Sequence, residues 1–83
     1  MTHANIVVYG SDWCGDCRRA KQFMEQHRIQ FDWIDVAADE EARKVVERVN
    51  NGRCIIPTII FQDNSILVEP SNAALARKLG IHG

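Results

Sequence analysis

The chain has no apolar run near the roughly 20 residues that a membrane-spanning helix needs. Residues 1–5 are short and polar, with no signal-peptide pattern, so a cytoplasmic location is expected. Net charge is −1, and no basic stripe carries interleaved aromatic residues. Nucleic acid and membrane are therefore not the expected partners. There is no internal repeat, linker or low-complexity segment, and 83 residues are expected to form one small domain spanning 1–83. Cysteine is scarce and odd in number, at three. A reducing compartment disfavours structural disulfides and favours catalytic or metal-binding cysteines.

What is present is enough for a core, since 46% of the residues are hydrophobic and no disulfide staple is required. The organising stretch is Trp13-Cys14-Gly15-Asp16-Cys17. It follows the apolar run Ile6-Val7-Val8-Tyr9 and a turn read at Gly10-Ser11-Asp12. It precedes Ala20, Phe23, Met24 and His27 at helical spacing. Two cysteines separated by two residues at a strand-to-helix junction form a thiol–disulfide exchange signature. Residues three apart share a helix face, so the two sulfurs can bridge. The helix start offers unpaired N–H groups and partial positive charge, which favour a thiolate at Cys14 and make it the expected nucleophile. Arg18, Arg19 and Lys21 add positive charge, while Asp12 and Asp16 oppose it, so moderate activation is expected.

The remaining elements follow from patterning. Strand one is predicted over about 5–9, apolar on both faces. Helix one is predicted over about 14–28 and strand two over 31–36, giving a right-handed parallel βαβ unit. Asp39 is a good N-cap for helix two, with Ala42, Val45, Val46 and Val49 as its buried stripe and Asn50-Asn51-Gly52 as its end. Pro57 cannot donate a ladder hydrogen bond and belongs at the start of the strand that runs on from Thr58. A turn at 62–65 and a return strand, Ile66-Leu67-Val68, complete a hairpin, in which Asn64 tolerates positive φ. Ser71 caps a last helix carrying Ala74, Leu75 and Leu79, closed by Gly80 and a Schellman-type return at Ile81. The order is βαβαββα, an α/β fold with helices on both faces of a four-stranded mixed sheet. Asp35 is expected to serve the turn after strand two, and His27 a structural role.

Tyr9 to Cys17, then Ile56-Pro57-Thr58, then a hairpin and a short final helix, together resemble the glutaredoxin family of the thioredoxin fold. The likeness covers nearly the whole chain and is nearest to the mycoredoxin-like group. That group's Trp-Cys-Gly-x-Cys, Val-Pro-Thr and Asn-Pro-Ser stretches read here as Trp13–Cys17, Ile56-Pro57-Thr58 and Glu69-Pro70-Ser71. The resemblance implies that Cys14 is the nucleophile and Cys17 the resolving thiol. It implies a cis Pro57 facing Cys14, with the Ile56 backbone N–H and C=O open to an extended substrate. Trp13, Arg53, Ser71 and Asn72 are the further candidate substrate-binding residues, with Arg18 and Arg19 behind Arg53 as carboxylate binders. Asp16 reads equally as a carboxylate that tunes Cys14 and as an exposed acid of the first turn. The chain departs from glutathione-using members at Ser11, where many have Lys, and at Leu67–Asn72, where they tend to have Gly-Gly and an Asp. This points toward mycothiol or another small thiol.

The expected activity is thiol–disulfide exchange on protein disulfides or protein–small-thiol mixed disulfides. No bound cofactor is expected. Mycothiol or glutathione is the co-substrate, and the small thiol or a flavoprotein reductase supplies electrons to a monomeric enzyme. The alternative is a zinc or iron–sulfur module in which Cys14, Cys17 and Cys54 are completed by His3, His27 or His82, although no second ligand-pair spacing exists. Cluster-binding relatives commonly carry a single cysteine followed by Gly-Phe-Ser, which this chain lacks. Cys54 reads as a small apolar residue near a strand start or as a secondary thiol at the edge of the site.

Overall fold

The computed structural model describes residues 6–81. Its elements run β1 (Val7–Gly10), α1 (Gly15–Gln26), β2 (Asp32–Asp35), α2 (Glu40–Val49), β3 (Thr58–Ile60), β4 (Ile66–Val68) and α3 (Asn72–Leu79). This is the βαβαββα order read from the patterning. The predicted strand start at Asn5 lies outside the described residues, as do His3 and His82.

The strands form one sheet in the order β2-β1-β3-β4. β1 pairs parallel with β2, while β3 runs antiparallel to both β1 and β4, so the sheet is mixed. Alternation along the strands divides the apolar residues between two faces. One face packs Val8, Ile59 and Phe61 against Ala20 and Met24 of α1 and Leu75 of α3. The other packs Val36, Tyr9, Ile34 and Ile56 with Ala42 and Val46 of α2. Fully burying a side chain such as Met24, Ile59 or Leu75 is worth about 1.5–3 kcal/mol.

Each helix starts and stops for a local reason. Asp39 caps α2, its carboxylate accepting the Ala42 N–H at 3.0 Å. Asn51 and Gly52 then turn out of α2 at φ 60° and 90°. Ser71 Oγ accepts the Ala74 N–H at 3.1 Å at the head of α3. At its end Gly80 stands at φ 72°, with its N–H on the Arg77 carbonyl and the Ile81 N–H on the Ala76 carbonyl, the two bonds of a Schellman closure. The hairpin turn places Asn64 at φ 69°.

Several boundaries differ from the sequence reading, β2 among them, which spans Asp32–Asp35 rather than 31–36. α1 is shorter than 14–28 at both ends: Cys14 is its cap, and the backbone leaves the helix at His27, with Arg28 at φ 56°. Gly10, read as the start of a turn, is instead the last residue of β1, paired with Asp35. The parallel ladder carries the strand one residue further than apolar patterning can show.

The register explains what collects at one end of the sheet. Tyr9 faces Thr58 across β1–β3, and Thr58 faces Val68 across β3–β4. One step further along the strands stand Gly10, Pro57 and Glu69. The Glu69 N–H donates to the Pro57 carbonyl at 2.8 Å, closing that rung. The loop carrying the cysteines leaves β1 from the same end.

Candidate active site

Cys14 is the N-cap of α1, with extended backbone at φ −93° and ψ 119°. Its carbonyl accepts the first helical hydrogen bond, from Arg18 N–H at 3.0 Å, and its own N–H reaches back to the Ser11 carbonyl at 3.2 Å. Its sulfur takes the role that Ser or Asp usually plays at a cap: Cys14 Sγ accepts the Cys17 N–H at 3.4 Å.

Cys17 lies one turn along and is completely buried. Burial pushes its thiol up from 9.0 to about 12, helped by its hydrogen bond with Cys14 and by the charges of Cys14 and Asp16, while the Ser11 backbone N–H pulls the other way. The two cysteines are thus unlike: Cys14 is half-exposed, and Cys17 is buried and protonated. Both are free thiols.

Trp13, directly before the nucleophile candidate, is 76% exposed. Ser11 is buried, its hydroxyl accepting the Trp13 N–H at 3.4 Å, so it shapes the loop where a lysine was absent. Pro57 is buried and joined to Ile56 by a cis peptide bond, as the resemblance implied. Among the described residues, the Ile56 N–H and C=O have no hydrogen-bond partner. The segment before Pro57 is braced from beneath. Thr58 Oγ1 donates to the Ile55 carbonyl at 2.6 Å and accepts from Asn50 Nδ2 at 3.2 Å, and Asn50 also holds the Val46 carbonyl. Arg53 and Cys54 are exposed on that segment.

Ser71 and Asn72 stand at the head of α3. Arg19 binds Asn72 Oδ1 at 2.8 Å and the Pro70 carbonyl at 3.1 Å, with Asp16 at 3.5 Å. Arg19 therefore ties α1 to the segment after β4. The sequence reading missed this bridge because its partners are 51 and 53 residues apart. It also missed the Asn50–Thr58 brace; a polar residue closing a helix and a Thr opening a strand gave no sign that they meet. Asp35 does serve its turn, accepting the Ala37 N–H at 2.8 Å. His27 packs against Phe23 with ring centroids 4.4 Å apart and planes tilted by 51°.

The metal alternative finds no ligand set here. Among the described residues, no three His, Cys, Asp or Glu side chains converge on a point where an ion could sit. Cys54 does not join Cys14 and Cys17. Nor is any described helix long and apolar enough to cross a membrane.

A cysteine pair on a strand–loop–helix junction, at the sheet end that also holds a cis proline, defines a thiol–disulfide oxidoreductase on a thioredoxin-like fold. The sequence pattern of the glutaredoxin family matches residues 6–66, and the chain belongs to that family. It is 35% identical over 79 residues to a protein of Mycobacterium tuberculosis assigned as a glutaredoxin, covering 95% of this chain and 94% of that one. It is 34% identical over 76 residues to mycoredoxin 1 of Corynebacterium glutamicum, covering 92% and 94%. The solved glutaredoxin of Archaeoglobus fulgidus shares the fold at a TM-score of 0.75 and 24% identity, over 92% of this chain and 86% of that one.

Proposed function

We propose that the chain, acting as one domain over 1–83, reduces protein–small-thiol mixed disulfides or protein disulfides through Cys14, with Cys17 as the resolving thiol. The observation that carries this reading is the Cys17 N–H on Cys14 Sγ at 3.4 Å, at a helix start and with Cys14 accessible. The Cys14 thiolate attacks one sulfur of the substrate disulfide. A new S–S bond forms at Cys14, and the target sulfur leaves as a thiolate that takes a proton from solvent.

The mixed disulfide at Cys14 then has two exits. A second small thiol can attack it, regenerating Cys14 and releasing the oxidised small thiol. Alternatively, Cys17 attacks Cys14, forming the Cys14–Cys17 disulfide and expelling the small thiol. Before that step Cys17 must lose its proton. Of the influences that keep it protonated, the charge of Cys14 is lost and the hydrogen bond to it weakened once Cys14 is neutral in a disulfide; burial and Asp16 remain. Cys17 is thus silent in the reduced enzyme and becomes easier to ionise when it is needed.

Trp13 offers a rigid aromatic rim for the substrate, Ile56 pairs its free backbone groups with an extended peptide or thiol backbone, and Pro57 forms the wall. Arg53 and the donors of Ser71 and Asn72 meet a carboxylate or hydroxyl of the small thiol. Arg19 supports Asn72 from behind rather than reaching outward. Mycothiol or glutathione serves as co-substrate, and that thiol or a flavoprotein reductase returns the electrons to a cytoplasmic monomer. Similarity to mycoredoxin 1 and the Ser11 and Glu69-Pro70-Ser71 departures favour mycothiol.

The test is turnover of a model mixed disulfide with each small thiol as reductant, for wild type and Cys17→Ser. Retained activity of the variant with one thiol identifies a monothiol route and that thiol as co-substrate. A variant inactive with both, beside a wild type driven only by a reductase, makes Cys17 obligatory. A wild type inactive with every reductant contradicts the reading.

A further inference from the structure

Gly10 is pinched between two side chains. A methyl group on its Cα would lie 2.9 Å from Cys17 Sγ, 3.1 Å from Cys17 Cβ and 2.9 Å from Trp33 Cη2. Those separations are well inside van der Waals contact. The backbone does not require a glycine here. Gly10 is an ordinary strand residue paired with Asp35, its carbonyl accepts the Val36 N–H at 3.0 Å, and the described glycines at positive φ are Gly52 and Gly80. A glycine inside a strand weakens it and often marks a close approach. Here the approach is that of a sulfur.

We propose that Gly10 is a positioning residue for the resolving step: its bare Cα lets the Cys17 sulfur sit against the end of β1, behind Cys14, and so sets how fast Cys17 closes onto the mixed disulfide. This rests on the reading of Cys17 as the resolving thiol. In the closing step the Cys17 thiol loses its proton, its sulfur bonds to Cys14 Sγ, the Cys14–small-thiol bond breaks, and the departing thiolate takes up a proton. The disulfide count is unchanged, so no outside oxidant is needed. Cys17 has little room to retreat, because it is fully buried and the next turn of its helix carries the fully buried Ala20 and Met24. The three heavy atoms nearest to a Gly10 methyl belong to Cys17 and Trp33. A change at Gly10 therefore presses first on the Cys17 side chain, whose sulfur the route through Cys14 alone does not use.

The experiment compares wild type, Gly10→Ala, Cys17→Ser and the Gly10→Ala/Cys17→Ser double variant. Closing is read as small thiol released in a single turnover from enzyme preloaded as a mixed disulfide. The monothiol route is read as steady turnover with excess small thiol in the Cys17→Ser background. Since misplacement by a fraction of an ångström to 1 Å costs up to about a hundredfold in such a step, Gly10→Ala should slow closing about ten-fold or more. In the Cys17→Ser background it should leave turnover within about two-fold. A Trp33→Leu/Gly10→Ala variant relieves the ring side of the clash; it should still close slowly, and it carries the test if Gly10→Ala alone does not fold. Unchanged closing in Gly10→Ala, an equal loss in the monothiol route, or rescue by Trp33→Leu overturns the role of Gly10. A wild type that releases no small thiol by closing, while Cys17→Ser turns over normally, instead overturns the reading of Cys17.

Discussion

The two ends of the sheet use polar groups in opposite ways. At the hairpin end Asp63 accepts the N–H and hydroxyl of Ser65 at 3.0 and 2.6 Å and pairs with Lys78 of α3 at 2.9 Å. Lys78 also lies over the Phe61 ring at 5.2 Å. These donors and acceptors join a turn to a helix. At the cysteine end the bracing groups stand one layer back, in Asn50–Thr58 and Arg19–Pro70–Asn72. The Cys14 sulfur, the Trp13 ring and the Ile56 backbone are left for something else. An end meant to hold completes its own contacts, whereas an end meant to react fixes its scaffold and leaves the front row open.

Four substitutions break or sharpen this contrast. The largest effect is expected from Cys14→Ser, which should abolish turnover while leaving the thermal midpoint nearly unchanged, since the serine hydroxyl is itself a good N-cap. The assay and a melting curve on the same sample check both halves.

Alkaline pH gives the second. The Cys17 thiol is raised in the folded state, from 9.0 to about 12. Below pH 9 the folded and unfolded chains both hold this proton and the group has no effect. Above it the unfolded chain releases the proton first, so stability of the reduced protein falls as pH rises toward 12. The slope from this group approaches about 1.4 kcal/mol per pH unit. Cys17→Ala should flatten that part of the denaturant-midpoint profile.

The third substitution, Asn50→Ala, removes the brace under Pro57. Losing its two hydrogen bonds, to Thr58 Oγ1 and to the Val46 carbonyl, costs about 1–3 kcal/mol, and about 1 kcal/mol moves the midpoint of so small a domain by roughly 4–8 °C. KM for the disulfide substrate should rise as well, because the Ile56 backbone loses its fixed position.

Lys78→Met at the opposite end is expected to do least. Lys78 and Ser65 hold the Asp63 carboxyl well below the usual carboxylate range. Its contribution is present above the ordinary value of 3.8 and is lost as pH falls through the lowered one. The pair is exposed, so the loss at neutral pH should be small and should shrink with salt. Turnover should be untouched, and a turnover defect would contradict the separation of the two ends.

The sequence made the cysteine end legible in its front row and hid its back row. Trp13, Cys14, Cys17 and Pro57 announce themselves because their chemistry is rare and their spacing local. Caps such as Asp39 and Ser71, and the Gly80 closure, were equally readable, since each acts within four residues of itself. Gly10 was misread as a turn because a glycine that makes room looks the same in sequence as one that bends the chain. The Arg19 bridge and the Asn50–Thr58 brace depend on how α1, α2 and the hairpin pack, which periodicity does not encode. A cysteine pair alone fits both redox chemistry and metal ligation; among the described residues no three His, Cys, Asp or Glu side chains converge on one point.

The most direct measurement is the site at which a small thiol lodges. Cys17→Ser protein is exposed to the oxidised small thiol, digested, and each cysteine peptide is weighed. The adduct should sit on Cys14, with Cys54 lightly modified despite its exposure. An adduct carried by Cys54 with Cys14 unmodified would contradict the assignment of Cys14 as the nucleophile.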